Sequence, residues 1–199
     1  MASAAPSATD FDAARRAMID SQLRTSGVNE PWVLARMATV PREDFVPPAA
    51  RAVAYTDRAV PLGQAGMLAA PLFHARMLAE ARPLATDRVL VVDGGSGYLP
   101  ALLEGLTQAV TVVTPDQAIK VSRAGDFTLL LIDGAVEHVP EPLAKRLADD
   151  ARIVGGLVDN GVTRLVIGRK SGGAVALLPL AELGIPRLPA FDKPKAWSF

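Results

Sequence analysis

Apolar side chains recur at three- and four-residue spacing over roughly the first 85 residues and as short continuous runs thereafter, a pattern that predicts helices first and alternating strands and helices second. Phe11, Ala14, Met18, Ile19 and Leu23 share one face of a helix that Asp10 can cap and that ends near Gly27. Asn29 is placed to cap a second helix, with Glu30 and Pro31 in its first turn, Val33, Leu34 and Met37 facing inward, and Pro41 beyond its end. The prolines and mixed polarity from Val46 to Pro61 predict irregular chain. After Pro71, Leu72 to Leu78 reads as a third helix.

The second part follows a different rule. Val89 to Val92 is apolar without alternation, as a parallel strand covered on both faces must be. Pro100 starts a helix running through Leu106, Val110 to Val113 makes a second strand, and Gln117 to Arg123 a short helix. Phe127 to Ile132 is a third strand, Pro140 to Leu147 a helix and Ala151 to Leu157 a fourth strand. Thr163 to Arg169 and Ala174 to Leu178 flank Lys170-Ser171-Gly172-Gly173, which is the signature of a hairpin. Together these elements predict an α/β sandwich with an antiparallel edge: a helical and loop region over residues 10–85 and an α/β region over 86–199, folded as one compact unit.

Composition narrows the function classes. Half of the 199 residues are apolar, enough for a proper core, and Lys plus Arg equal Asp plus Glu at 21 each, so no field favours a polynucleotide or an anionic membrane. The absence of cysteine excludes disulfides, thiolate metal sites and a cysteine nucleophile. His74 and His138 are the only histidines, with no second ligand at metal-binding spacing around either. Met1 to Thr9 has neither the charged start nor the apolar stretch of a secretory signal and reads as a disordered lead-in. No apolar run reaches the roughly 18 residues needed to span a bilayer, and a cytoplasmic location is the default expectation.

The turn after the first strand, Asp93-Gly94-Gly95-Ser96-Gly97-Tyr98, is where a nucleotide-like ligand can approach the main chain of an open α/β sheet. Alone, it is a weak signal. A dinucleotide fingerprint is disfavoured because Pro100 stands where the third glycine should fall. Ser96 has no histidine partner in view, which leaves a hydrolase without its base. Asp133-Gly134 follows the third strand at the carboxyl edge of the sheet, where ligands bind in such folds.

The surrounding motifs carry a more specific message. Met18-Ile19-Asp20-Ser21-Gln22-Leu23-Arg24, Val40-Pro41-Arg42-Glu43-Asp44-Phe45-Val46-Pro47, Ala54-Tyr55-Thr56-Asp57 and Pro61-Leu62-Gly63 follow one another in order. With the glycine turn, Phe127 to Ala135 and Val139-Pro140, they make a chain that resembles the protein-L-isoaspartate O-methyltransferases over roughly residues 10 to 170. The resemblance implies a three-layer Rossmann-like methyltransferase sandwich, S-adenosylmethionine as cofactor, and the isoaspartyl carboxylate of damaged proteins as acceptor. It also implies that Asp57, Gly63, Gln64 and Leu68 belong to the acceptor loop, and that Asp93, Gly94, Gly95, Ser96, Gly97, Asp116 and Asp133 hold the cofactor. Because the sulfonium methyl is activated and the acceptor is already ionised, such a reaction needs positioning in a dry pocket more than a strong base.

Three departures qualify that reading. Where the family carries two hydroxyl residues before the helix-opening proline, this chain has Met67 and Ala69. At the end of the second strand, where an acidic residue about 20 positions past the glycines takes the ribose hydroxyls, stands Thr114, and the nearest carboxylate is Asp116 beyond Pro115. Only thirteen residues, Thr114 to Asp126, link the second and third strands, so one short helix uses them all. The expected sheet is therefore one strand short of the family's, with the adenine wall open to solvent or filled by Ile119 and Val121. The reading these departures favour is a family member whose transfer is weak or lost and whose fold persists as a binding or scaffolding module. The alternative is a working S-adenosylmethionine-dependent methyltransferase with an altered acceptor. The two aromatics of the tail, Trp197 and Phe199, are expected to pack on the sheet or to form a homodimer contact.

Overall fold

A computed structural model describes residues 8–121 and 123–193. Its centre is a six-stranded sheet in the order β4-β3-β5-β6-β7-β8, made of β3 (Arg88–Val92), β4 (Ala109–Val113), β5 (Phe127–Val136), β6 (Leu147–Asp159), β7 (Val162–Ser171) and β8 (Ala174–Glu182). The first four of these in space are parallel, and β7 and β8 are antiparallel. The chain thus has the mostly parallel mixed sheet of an α/β sandwich, closed by an antiparallel C-terminal hairpin. Gly172 and Gly173 turn that hairpin with φ of 56° and 85°, the left-handed pair a two-residue turn demands.

Apolar runs without alternation become central strands because each residue has a core to enter whichever way it points. Val89, Val91, Leu129 and Leu131 go to one core. Leu90, Val92, Leu130 and Ile132 go to the other. The first core is thick. It is roofed by α1 (Ala8–Met18), which continues as a π-helical turn through Leu23, by α2 (Pro31–Thr39), α3 (Pro71–Ala81) and α4 (Tyr98–Leu103). These bury Met18, Leu23, Met37, Phe73, Met77 and Leu102 in one cluster with the strand residues, so the N-terminal region and the sheet share a single core. The opposite face has only the one-turn helices α5 (Pro115–Ala118) and α6 (Glu141–Ala144) and a C-terminal strap that contributes Leu188 and Phe191.

Several boundaries differ from those expected. Residues 1–7 of the predicted lead-in, and Trp197 and Phe199 of the tail, lie outside the described residues, whereas Ala8 and Thr9 already belong to α1. Asp10 sits inside the first turn of α1, where its charge favours the helix dipole, instead of capping it. Glu30, not Asn29, is the N-cap of α2, and its carboxylate accepts from the Asn29 amide at 3.1 Å. Pro100 falls within α4, which starts at Tyr98 and stops at Leu103. Val60–Pro61, at the end of the segment expected to be irregular, pairs as β1 with Met67–Leu68 as β2 in a small hairpin.

The link from β4 to β5 holds α5 over Pro115–Ala118 and not over Gln117 to Arg123. A capping box between Thr114 and Gln117 starts the helix early. The link must then cross β3, a lateral distance of about 10 Å for two strand spacings, which leaves the rest extended. The helix expected to reach Leu147 also stops short, at Ala144, because Leu147 already pairs with Phe127 in β6. The pairing is interrupted and resumes at Leu129↔Arg152. Asp150, at φ 63°, turns the extra residues outward.

Ile119 and Val121 do not fill the space beside α5. They are 38% and 95% exposed. The strap fills it instead: Pro186 accepts from the Ala135 amide at 2.7 Å, the Leu188 amide donates to Ala135 at 2.9 Å, and Phe191 is wholly buried in the cluster that contains Ala118. At the tip of β5 the strap therefore acts as one more short parallel pairing, between Ala135 and Arg187. Among the described residues no helix is long and apolar enough to cross a membrane.

Candidate functional site

A cavity of about 490 Å³ opens at the carboxyl ends of β3, β4 and β5. It is bounded by the glycine turn, the chain around Gln64 to Met67, the start of α5 and the strap from Pro186 to Ala190. Of the residues singled out in the sequence, Gln64, Met67, Asp93, Gly94, Gly95, Asp116 and Asp133 line it. Asp57 does not: it lies in a separate groove with Arg58 and Glu182. Leu68 and Ala69 are buried in the core beneath the loop, and Gly63, Ser96 and Gly97 are not among the lining residues.

Each wall follows from local chemistry. The Asp93 amide extends the β3–β4 ladder by one bond, to Val113 at 3.0 Å, so its side chain is held where the strand ends. Its carboxylate accepts from the Gly97 amide at 3.1 and 3.2 Å, and the Ser96 hydroxyl accepts from the Tyr98 amide at 3.1 Å, which ties the turn into α4. Burial pushes the Asp93 carboxyl above the usual aspartate range, and the charge of Asp133 pushes it the same way. The acceptor-side loop rests directly on this turn. A Cβ at Gly95 would meet the Ala65 carbonyl at 1.6 Å and one at Gly66 would meet the Gly94 carbonyl at 2.3 Å, so glycine is required on both sides of the contact.

Asp133 lies within β5, not beyond it, because β5 continues to Val136 through a register shift after Leu131. Its side chain is sealed from solvent, and Oδ1 is 2.9 Å from Nε2 of His74. The other imidazole nitrogen, Nδ1, is 3.4 Å from the Arg42 guanidinium. A guanidinium can only donate, so Nδ1 is the acceptor, Nε2 carries the hydrogen, and His74 is a neutral bridge between Arg42 and Asp133. Arg42 also donates to the carbonyls of Ala54 (2.9 Å) and Ala69 (2.7 Å) and lies 4.8 Å from the centre of the Tyr98 ring. Desolvation pushes the guanidinium below its ordinary value, with Tyr98 and Asp133 opposing that shift.

The same network runs outward. The Tyr55 hydroxyl donates to Glu43 and accepts from Arg15 at 2.8 Å and from the Arg42 amide at 3.2 Å, while Arg15 pairs with Glu43 at 2.9 Å. Burial and the bond to Glu43 push the Tyr55 hydroxyl well above its ordinary range. Arg42, Glu43 and Tyr55 of the ordered motifs are thus the struts that hold the loop over the sheet. Arg42, His74 and Tyr98 were not expected as site residues. The available signals were an Arg-Glu-Asp run flanked by apolar residues, and a histidine on the buried face of α3; neither names its partner.

The charge of the cavity is one-sided. Asp93, Asp116 and Asp133 line it against a single guanidinium, Arg187, whose terminal nitrogen is already bonded to Glu137 at 2.9 Å and Asp192 at 3.0 Å. Such a lining suits a cation and opposes an anion. In its sign it fits S-adenosylmethionine, whose sulfonium and ammonium are both positive, with Asp93, the Gly94-Gly95 backbone and Asp116 as the groups available to hold it.

Comparison with known proteins accounts for this architecture. The sequence profile of the family described as protein-L-isoaspartate(D-aspartate) O-methyltransferase (PCMT) matches residues 13–126. The chain is 34% identical over 170 residues to the protein-L-isoaspartate O-methyltransferase of Roseiflexus castenholzii, covering 73% of this chain and 78% of that one. It is 31% identical over 195 residues to the corresponding protein of Koribacter versatilis, covering 85% and 88%. In three dimensions it is similar to the PCMT of Plasmodium falciparum, crystallised with S-adenosyl-L-homocysteine, at a TM-score of 0.69 and 15% identity over 89% of this chain and 97% of that one. The ordered motifs, the sheet with its antiparallel close and the cavity beyond the glycine turn therefore have one explanation: the chain belongs to the protein-L-isoaspartate O-methyltransferase family.

Proposed function

We propose that this family member keeps a ligand pocket for a cation at the cofactor position but carries out isoaspartyl methylation weakly or not at all, serving as a binding module. The observation that carries this reading is the cavity's charge. The family's acceptor is a carboxylate, and here it would approach Asp93, Asp116 and Asp133, with Arg187, already paired with Glu137 and Asp192, as the one cation among the lining residues. The acceptor loop offers no hydroxyl in compensation, since the matching positions are Met67 and the buried Ala69, whose carbonyl is committed to Arg42. When bound, S-adenosylmethionine supplies an electrophilic methyl; the chain supplies the turn and carboxylates that hold it.

Titration calorimetry with S-adenosylmethionine, paired with methylation of an isoaspartyl peptide, tests both halves. The expected result is binding with transfer at background. The variant Met67→Thr/Ala69→Ser is expected to stay at background, because charge and not hydroxyl loss is the obstacle. Turnover in either protein comparable to that of an active relative would overturn the reading. Transfer to an uncharged or basic acceptor would instead support a second reading, a methyltransferase with an altered acceptor, which the same carboxylates favour.

A further inference from the structure

The two outer strands of the sheet are guarded differently. β8 carries Pro179, and its pairing with β7 shifts register between Leu165 and Val166. A proline and an irregular register are two devices by which an edge strand refuses another strand. β4 has neither. It runs Ala109-Val110-Thr111-Val112-Val113 with no charge, no proline and an unbroken register against β3. Only the thirteen residues from Thr114 to Asp126 link it to β5, and among the described residues no further strand lies beside it.

The open side of β4 has a definite phase. In a parallel pair, alternate residues turn both amide and carbonyl to the neighbouring strand. The Val113 carbonyl accepts from the Asp93 amide at 3.0 Å, so Ala109, Thr111 and Val113 face β3, and Val110 and Val112 turn their backbone groups to the free edge. Val110 packs against the helix-roofed core, and Val112 beside it is 47% exposed. Both line a groove of about 460 Å³ between β4 and the end of α4, where Glu104 is the one charged lining residue.

The strand reads nearly the same in both directions about Thr111. An antiparallel copy centred there sets Val110 opposite Val112 of the second copy, and Val112 opposite its Val110. These are the residues whose amides and carbonyls face outward, so four ladder bonds form, and Thr111 meets its own equivalent as a non-hydrogen-bonded pair. A threonine pair between β-branched neighbours is a favourable cross-strand arrangement. Charge agrees with this pairing. The two-fold carries the two Glu104 side chains to opposite ends of the pairing, and Asp116, after the strand, belongs with α5 on the other face. Register, hydrogen-bonding phase and charge thus all fit a second copy of the same strand. We infer that the chain forms a symmetric dimer through β4, its six-stranded sheet continuing across the two-fold into that of the second copy. A five-residue pairing is short, which places this interface at the small, reversible end of the range.

Sedimentation velocity on the intact chain, from low to high micromolar concentration, reads the mass, and a reversible equilibrium between monomer and dimer is expected. Val112→Pro removes an outward amide without touching the bonds to β3; it should weaken the dimer at least tenfold. Leu178→Lys, on the exposed part of β8, should leave it unchanged. Cross-linking reads the register. The chain has no cysteine, so Thr111→Cys introduces a single thiol, which the two-fold brings to its equivalent at roughly 4.5 Å between Cα atoms, within disulfide reach. Mild oxidation should link that variant at least tenfold faster than Ala109→Cys, whose thiol would face Val113 of the second copy. A monomer at every concentration overturns the inference, whether the edge stays open or another segment of the chain covers it. So does a series of larger oligomers, a dimer that survives Val112→Pro, or equal cross-linking of the two cysteine variants. Should Val112→Pro not fold, the two cysteine variants decide.

Discussion

The two faces of the sheet are built by opposite means. One is roofed by four helices and held by a buried polar network whose members, Arg42, Glu43, Tyr55 and His74, come from the helical region. The other has two single helical turns and a strap, and rests almost entirely on apolar side chains, with Phe191 at its centre. The difference teaches where this chain tolerates change. The polar face is specified atom by atom, since each donor has one acceptor in reach, and it is the face that carries the family's ordered motifs. The apolar face is closed with less chain than the polar one, because burial is non-directional and any side chain of suitable size can supply it.

The sharpest way to break the comparison is Arg42→Ala. It leaves two carbonyls and Nδ1 of His74 unpaired in the core, and a loss of about 4 kcal/mol is expected in denaturant melts, from the cost of breaking a buried charge network. Arg42→Lys should recover little, because one ammonium cannot reach both carbonyls as the planar fork does. A loss below about 1 kcal/mol would show that the network is ornamental.

Phe191→Ala probes the other face. About 3 kcal/mol is expected from the cavity left under the strap, together with faster amide exchange at Ala135 and Leu188. If the melt is unchanged, the thin face does not depend on the strap.

Asp87 sharpens the contrast at the far end of the strands. Burial alone would raise its pKa, but the Leu84 amide, Arg152 and Thr128 outweigh burial and hold the carboxyl below the usual aspartate range. A lowered folded pKa adds stability above the unfolded value, and that stability is lost as pH falls through the folded one. The acid limb of a stability profile should therefore steepen below the ordinary aspartate range, and Asp87→Asn should flatten it at a cost of about 2 kcal/mol at neutral pH. The smallest effect is expected for Ile119→Ser and Val121→Ser, within about 0.5 kcal/mol, since neither side chain enters the core.

Much of this was legible residue by residue. The runs at Val89 and Phe127 named themselves as central strands because only strands covered on both faces are apolar throughout. The Gly172-Gly173 pair named its hairpin for a stereochemical reason. Helix ends were less legible. Leu147 has the spacing to continue α6, yet pairing with Phe127 outweighs local periodicity. At the site, the lining carboxylates Asp93, Asp116 and Asp133 could be named from position along the strands, but Asp57 could not be excluded, nor His74 included, without knowing which segments meet.

By itself, then, the sequence determined the order of the main strands and helices, the glycine turn and the shortness of the link after β4, since these depend on periodicity, backbone stereochemistry and length. Tertiary structure alone decided that the strap from Pro186 to Phe191, and not Ile119 or Val121, closes the space beside α5, and that Arg42, His74 and Asp133 form one line of bonds. The reason is that hydrophobic burial and hydrogen bonding act between residues distant along the chain, and which partners meet is settled only when the whole core closes.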